Sequence, residues 1–316
     1  MSATATGGPV LVYKSDARRG EVWKRVFAAE MPEVDFRFWS SSVETLDATY
    51  LVAWTPPDRL QAAFPRLEVL FSVGAGVDQL NLSAIPGHVQ TVRMIEPGLS
   101  RSLTEYALFG VLALHRDVPL YLADQREGRW SPRPVVVSTD RVVGIMGLGV
   151  LGRAVAEAVR DLGFQVRGWS GSSKTIDGVA TFSGEGERAA FLGGCDILVC
   201  LLPLSDRTHG ILSAEIFAAL PAGARLLNIG RGGHLVENDL LAALESGHVS
   251  SAVLDVLGKE PPPADHPLLR HPRVMITPHV AGTTFPETAA RRVIEAIRRH
   301  RAGKPLDNVV ERSRGY

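Results

Sequence analysis

The chain has 316 residues, 34 Lys plus Arg against 34 Asp plus Glu, and 45% hydrophobic residues. Zero formal net charge excludes the broad cationic field that nucleic acid or an anionic membrane surface needs, and the apolar content excludes global disorder. The longest apolar run, residues 142–152, falls short of the ~20 residues of a membrane-spanning helix.

No secretory signal is read in the first ten residues, and a pair of cysteines, Cys195 and Cys200, suits a reducing, cytoplasmic location with both as small buried side chains. At roughly 100–200 residues per domain, two domains are expected. Strand-like runs alternate with amphipathic helical stretches, which predicts α/β layers with parallel sheets.

The first block reads as a strand over 9–13, a helix over 20–29, strands over 34–39 and 50–54, a turn at Pro56-Pro57 and a short helix over 58–64. A strand over 67–73, the turn Gly74-Ala75-Gly76 and a strand over 89–94 close it. The apolar stretch 103–122 has helical spacing at Leu103, Ala107, Leu108, Val111, Leu112 and Leu114. The prolines of Ser131-Pro132-Arg133-Pro134 then make a linker. The second block reads as a strand over 141–146, a helix over 150–162 stopped at Gly163, and strands over 164–169 and 196–201. A helix over 214–220, a strand over 225–229, a helix over 237–246 and strands over 251–256 and 274–277 complete it. The last helix, 286–301, carries Ala290, Val293, Ile294 and Ile297 on one face and is expected to return to the first domain.

Gly147, Gly149 and Gly152 fit G-x-G-x-x-G directly after a buried strand and at the start of a helix. The first permits a tight turn, the second lets backbone approach a pyrophosphate, and the third allows close helix packing. The free N–H groups of the helix then face the phosphates. About 20 residues on, an NAD site supplies Asp or Glu for the ribose 2′-hydroxyl. Here Trp169-Ser170-Gly171-Ser172-Ser173-Lys174 has no acid before Asp177. Hydroxyls and the Lys174 ammonium suit a 2′-phosphate, so NADP(H) is preferred over NAD(H). The alternative reading of Lys174 is a solvated loop charge.

Arg231 stands between glycines at the carboxyl end of a buried strand, where open α/β sheets bind ligands. Its rigid fork of donors suits a carboxylate or carbonyl. Glu260 follows another strand and His279 follows the last one. If these ends converge, His279 protonates a carbonyl oxygen while a nicotinamide gives hydride to its carbon, and Glu260 orients the imidazole and favours its charged form. Singly, each of the three also reads as a surface or core residue.

Taken in this order, the glycine turn, Leu201-Leu202-Pro203-Leu204 with Thr208, Asn228 with Arg231-Gly232, Leu254-Asp255-Val256 with Glu260-Pro261, and Thr277-Pro278-His279 resemble the D-2-hydroxyacid dehydrogenase family over nearly the whole chain. Trp169-Ser170, the spacing and Arg314-Gly315-Tyr316 are most similar to its glyoxylate/hydroxypyruvate reductase A branch. That branch has arginines after the Trp-Ser pair, where Gly171 and Ser173 stand here, and Leu257 replaces the usual phenylalanine of Asp-Val-Phe.

The resemblance implies an α/β fold of two Rossmann-like, doubly wound parallel-sheet domains. A flavodoxin-like, discontinuous substrate-binding domain would take residues 1–98 and 284–316, and the NAD(P)-binding Rossmann domain 99–283, with the active site in the cleft between them. It implies Arg231 as the substrate-orienting cation, Glu260 as the partner of the histidine and His279 as the acid/base. Ala75 and Gly76 would offer N–H groups to the substrate carboxylate, and Trp54 would line the substrate side. Gly147, Leu148, Gly149, Val150, Leu151 and Gly152 would meet the pyrophosphate, and Trp169, Ser170, Ser172 and Lys174 the adenosine ribose. Leu202, Pro203, Thr208, Ile229, Gly230, Arg231, Asp255, His279 and Gly282 would form the remaining cofactor surface, with Asp255 near the nicotinamide amide. No metal is expected.

The activity so implied is NADPH-dependent reduction of small 2-oxo acids, glyoxylate to glycolate or hydroxypyruvate to D-glycerate, in a homodimer formed through the nucleotide domain, with the helix near 103–122 contributing. An NAD-linked dehydrogenase of phosphoglycerate type is the alternative within the class; the missing acid near 170 and the lack of an extension after 316 argue against it. A non-catalytic dinucleotide sensor is the alternative outside it.

Overall fold

The computed structural model describes residues 8–40 and 46–316; the first seven residues of the segment read for a secretory signal lie outside the description. In chain order the elements are β1 (Val10–Lys14), α1 (Ala17–Glu30), β2 (Asp35–Phe38), β3 (Tyr50–Ala53), α2 (Leu60–Ala63), β4 (Val69–Ser72), β5 (Gln90–Val92), α3 (Pro97–His115) and α4 (Val118–Arg126). There follow β6 (Val142–Met146), α5 (Val150–Asp161), β7 (Gln165–Ser170), β8 (Val179–Ser183), α6 (Arg188–Leu192), β9 (Ile197–Cys200) and α7 (Ala214–Ala219). The chain ends with β10 (Ala224–Asn228), α8 (Glu237–Glu245), β11 (Val249–Leu254), α9 (Pro267–Arg270), β12 (Val274–Ile276) and α10 (Pro286–Arg301).

Two compact units result. Residues up to Leu99 join Thr284–Tyr316 in one, and Ser100–Thr283 form the other. The first holds a parallel sheet of order β2-β1-β3-β4-β5, a flavodoxin-like arrangement. Its core packs Trp23 and Phe27 of α1 and Ala290, Val293, Ile294 and Ile297 of α10 against Tyr13, Tyr50 and Phe71 of the strands. Asp16 starts α1 by accepting the Arg19 N–H at 2.9 Å, so that helix begins three residues before the predicted start.

Where the chain leaves this unit, Glu96 is 1% exposed. Its carboxylate accepts the N–H groups of Gly98 and Leu99, both at 2.6 Å, and of Phe285 at 3.3 Å. One side chain therefore opens α3 and ties the departing strand of polypeptide to the returning one.

The second unit holds a parallel sheet of order β12-β11-β10-β9-β6-β7-β8, the doubly wound order in which the chain reverses direction across the sheet between β6 and β9. In β9, Ile197 and Val199 face α3 and α5 while Leu198 and Cys200 face α6, α7 and α8. Covering on both faces explains why the strand reads as an unbroken apolar run. Both cysteines are buried, and burial pushes each thiol up to about 12.

One expectation needs correction. The stretch 103–122 is not one helix: α3 begins at Pro97 and stops at His115, and α4 resumes at Val118. Pro119 has no N–H to continue α3, and Asp117 turns left-handed at φ 56°. Arg225 of β10 holds that turn, donating to the Asp117 carboxylate at 2.6 Å in an almost fully buried pair. The edge strand β8 escapes the apolar pattern, because its residues are only partly buried and alternate weakly. Among the described residues no helix is long and apolar enough to cross a membrane.

Candidate active site

The glycine turn follows β6. Gly147 has φ 103°, and a Cβ there would stand 2.7 Å from the Leu201 carbonyl oxygen. A Cβ at Gly152 would come within 1.8 Å of the Gly147 carbonyl oxygen, so only glycine lets α5 close on the turn. Gly149 is the N-cap of α5, faces open space, and no side chain among the described residues caps the helix. The first N–H groups of α5 are thus left to an external acceptor, at the positive end of the helix dipole. Val150 beside them is exposed, Leu151 is partly buried, and Leu148 packs inward over Gly168.

At the end of β7, Trp169 is buried and its indole N–H donates to the Gly184 carbonyl at 2.8 Å. The Ser170 hydroxyl donates to the Ser172 carbonyl at 2.7 Å, shaping the loop that follows. Ser172 and Lys174 are exposed on that loop, and Arg153 of α5 anchors it by donating to the Thr175 carbonyl at 2.8 Å. After β9, with Leu202 buried, the Thr208 hydroxyl donates to the Pro203 carbonyl at 2.7 Å and accepts the Ser205 N–H at 2.9 Å, closing the loop from 203 to 208.

Asn228 ends β10 fully buried. Its amide donates to the Arg231 carbonyl and accepts the Gly230 N–H, both at 3.2 Å. The Arg231 N–H donates to Nδ1 of buried His234 at 3.0 Å, and Nη1 of Arg231 donates to the Gly230 carbonyl at 2.9 Å. Ile229 and Gly230 lie inside this turn.

Asp255, 2% exposed, directly follows β11. Oδ1 accepts the Thr277 hydroxyl at 2.6 Å and the Val280 N–H at 2.9 Å, and Oδ2 accepts the Ala281 N–H at 2.9 Å. Its backbone carbonyl takes the His279 N–H at 2.8 Å. His279 sits at φ 55°, a left-handed conformation costing on the order of 1–3 kcal/mol away from glycine. Asp255 is what holds the turn in that shape. Tyr106 of α3 bonds the same Thr277 hydroxyl, and Gly282 is exposed just beyond.

Nδ1 of His279 meets Oε2 of Glu260 at 2.7 Å, and Oε1 of Glu260 accepts the Leu257 N–H at 3.0 Å. The carboxylate thus fixes the ring by one nitrogen and leaves Nε2 as the second site of proton exchange. Both side chains remain partly open to solvent.

In the first unit, Trp54 follows β3 with its ring beside Gly74 and is 45% exposed. Buried Ser72 accepts the Gly74 N–H at 3.2 Å and shapes the turn after β4. Among the described residues, neither the Ala75 nor the Gly76 N–H donates to another protein group.

Residues 108–281 match the family described as D-isomer specific 2-hydroxyacid dehydrogenase, NAD binding domain. The chain belongs to this family. It is therefore a dinucleotide-dependent oxidoreductase of the 2-hydroxyacid dehydrogenase class, built from two parallel-sheet α/β units. It is 40% identical over 302 residues to glyoxylate/hydroxypyruvate reductase A of Serratia proteamaculans (strain 568), covering 94% of this chain and 96% of that protein. A D-isomer specific 2-hydroxyacid dehydrogenase from Xanthobacter autotrophicus Py2, solved with NADPH and MES, superposes with TM-score 0.92 at 38% identity, covering 98% of this chain and all of that one. An NADPH-dependent glyoxylate/hydroxypyruvate reductase from Sinorhizobium meliloti, solved with NADP and sulfate, gives TM-score 0.88 at 34% identity with the same coverage.

Within the dehydrogenase's second unit, His279 and Glu260 meet directly, while Arg231 stands on the neighbouring strand end. Sequence reasoning passed over His234, which shapes the Arg231 turn, and took Thr277 only as part of the motif that ends in His279. His234 is one of nine histidines and carries no motif of its own, so only its burial under the Arg231 turn marks it out.

Proposed function

We propose that the protein reduces small 2-oxo acids, glyoxylate or hydroxypyruvate, with NADPH. The observation that carries this reading is the His279–Glu260 pair at 2.7 Å, held at the carboxyl edge of the sheet whose first strand ends in the glycine turn. The names of the relatives at 34–40% identity support the same chemistry.

The uncapped start of α5 and the open face of Gly149 fit a pyrophosphate. The loop with Ser172 and Lys174 presents hydroxyl and ammonium rather than carboxylate to the adenosine ribose, which favours a 2′-phosphate. When bound, the dinucleotide supplies hydride to the carbonyl carbon. His279 delivers the proton to the carbonyl oxygen, and Glu260 keeps its ring in register. Arg231 pairs with the substrate carboxylate, so that binding provides orientation. The exposed apolar side chains of Phe109, Leu112 and Tyr121 on α3 and α4 support a homodimer formed through the second unit.

Initial rates with glyoxylate and with hydroxypyruvate, each with NADPH and with NADH, test the reading. Higher kcat/KM with NADPH is expected. Better use of NADH would make the protein an NAD-linked dehydrogenase, and tight NADPH binding without turnover of any 2-oxo acid would make it a dinucleotide sensor.

A further inference from the structure

Residues 257–260, which carry Glu260, are held from a side the catalytic reading does not use. Oε1 of Glu237, at the start of α8, accepts the Gly258 N–H at 3.0 Å, and its Oε2 meets Nε2 of His266 at 3.0 Å. Both side chains are largely buried. The Leu257 N–H is the one that Glu260 accepts, and on the other side Gly232, next to Arg231, lies so close that a Cβ there would stand 1.8 Å from the Leu257 carbonyl oxygen.

We propose that Glu237 and His266 form a brace that positions Glu260 and, through it, His279; this rests on the catalytic reading of Glu260 and His279 given above. Among the described residues, two side-chain hydrogen bonds hold the loop, Glu260 on the Leu257 N–H and Glu237 on the Gly258 N–H, while the Gly232 backbone packs against the Leu257 carbonyl. Only the Glu237 bond comes from outside the turns that bear the trio. Without it the Gly258 N–H loses a charge-assisted bond, the class of hydrogen bond that contributes most. The loop is then free to move, and the Glu260 carboxylate moves with it. His266 holds the second oxygen of Glu237, so that the first stays aimed at Gly258. Neither residue touches the reacting atoms; both are positioning residues.

A double-mutant cycle separates positioning from plain scaffolding. In an otherwise wild-type chain, Glu237→Ala is expected to lower kcat about tenfold with KM changed less than about twofold, the loss of one charge-assisted bond. In a Glu260→Gln background the same change should lower kcat less than about twofold, because the group it positions is already disabled. His266→Ala should repeat the pattern, and decides the matter if Glu237→Ala does not fold. His266→Gln, which keeps an N–H donor where Nε2 stands, should restore most of the lost rate. Equal losses in both backgrounds, or wild-type kcat in Glu237→Ala and His266→Ala, overturn the brace alone. Wild-type turnover in Glu260→Gln overturns the trio and the brace with it.

Discussion

Nδ1 of His279 lies 2.7 Å from Oε2 of Glu260, on a residue whose own backbone is left-handed at φ 55°. The side chain and the main chain of His279 therefore make separate demands, and two substitutions separate them. His279→Ala should lower kcat by about 10²–10⁴, the contribution of a positioned acid, with little change in KM. His279→Asn should lose as much activity yet keep its melting temperature, since asparagine tolerates the left-handed region. Full turnover in either variant removes His279 from the chemistry.

Asp255 places the turn that His279 occupies. Asp255→Asn keeps the volume but sets an amide N–H against the N–H groups of Val280 or Ala281, which the carboxylate accepts at 2.9 Å. Hydrogen bonds to charged groups contribute roughly 1.5–3 kcal/mol. A stability loss of about that size, together with a kcat falling about 10²-fold, is expected from denaturant titration and steady-state rates. An Asp255→Asn protein as stable and active as the parent would show that the carboxylate does not set the turn.

The ribose loop supplies a third test. Lys174→Ala should raise the KM for NADPH about tenfold and leave the KM for NADH unchanged, since one ammonium–phosphate contact contributes about 1.4 kcal/mol. A parallel rise for both dinucleotides would mean that Lys174 is not reading the 2′-phosphate.

Acid sensitivity follows from His115. Burial against Phe164 lowers its pKa below the ordinary value, and Arg141, Arg116 and Arg225 add to the effect. The folded protein keeps the ring neutral while the unfolded chain takes up a proton first. Stability therefore falls as pH drops below the ordinary histidine value near 6.5. Asp124 acts in a lower window: Arg133 and Arg129 hold its carboxyl below the ordinary value, so its contribution is lost as pH falls below about 4. Melting temperatures from pH 8 to 5 should decline less in His115→Leu than in the parent. Identical slopes would exclude His115 as the source.

The alternating α/β pattern was readable because buried parallel strands such as β9 are apolar throughout and the turn after β6 requires glycine at 147 and 152. The division of the apolar stretch into α3 and α4 was signalled by Pro119, but the left-handed Asp117 and its bond to Arg225 join residues 108 apart and leave no local trace. The same holds around His279. The Thr-Pro-His motif marks the residue, whereas the grip of Asp255 on Thr277, Val280 and Ala281 is a tertiary fact. The strand β8 lacked an apolar run and left no pattern to find.

Glu96 has a consequence for how the gene could be cut. The Leu99 and Phe285 N–H groups both bond its Oε1, at 2.6 and 3.3 Å, so the residues on either side of segment 100–284 meet at a single oxygen. A residue of extended chain spans at most about 3.3–3.6 Å, so two or three residues suffice to splice 99 to 285. The first unit can then be written as one uninterrupted polypeptide, and the second is already one. In the order of the chain, one continuous unit interrupts another.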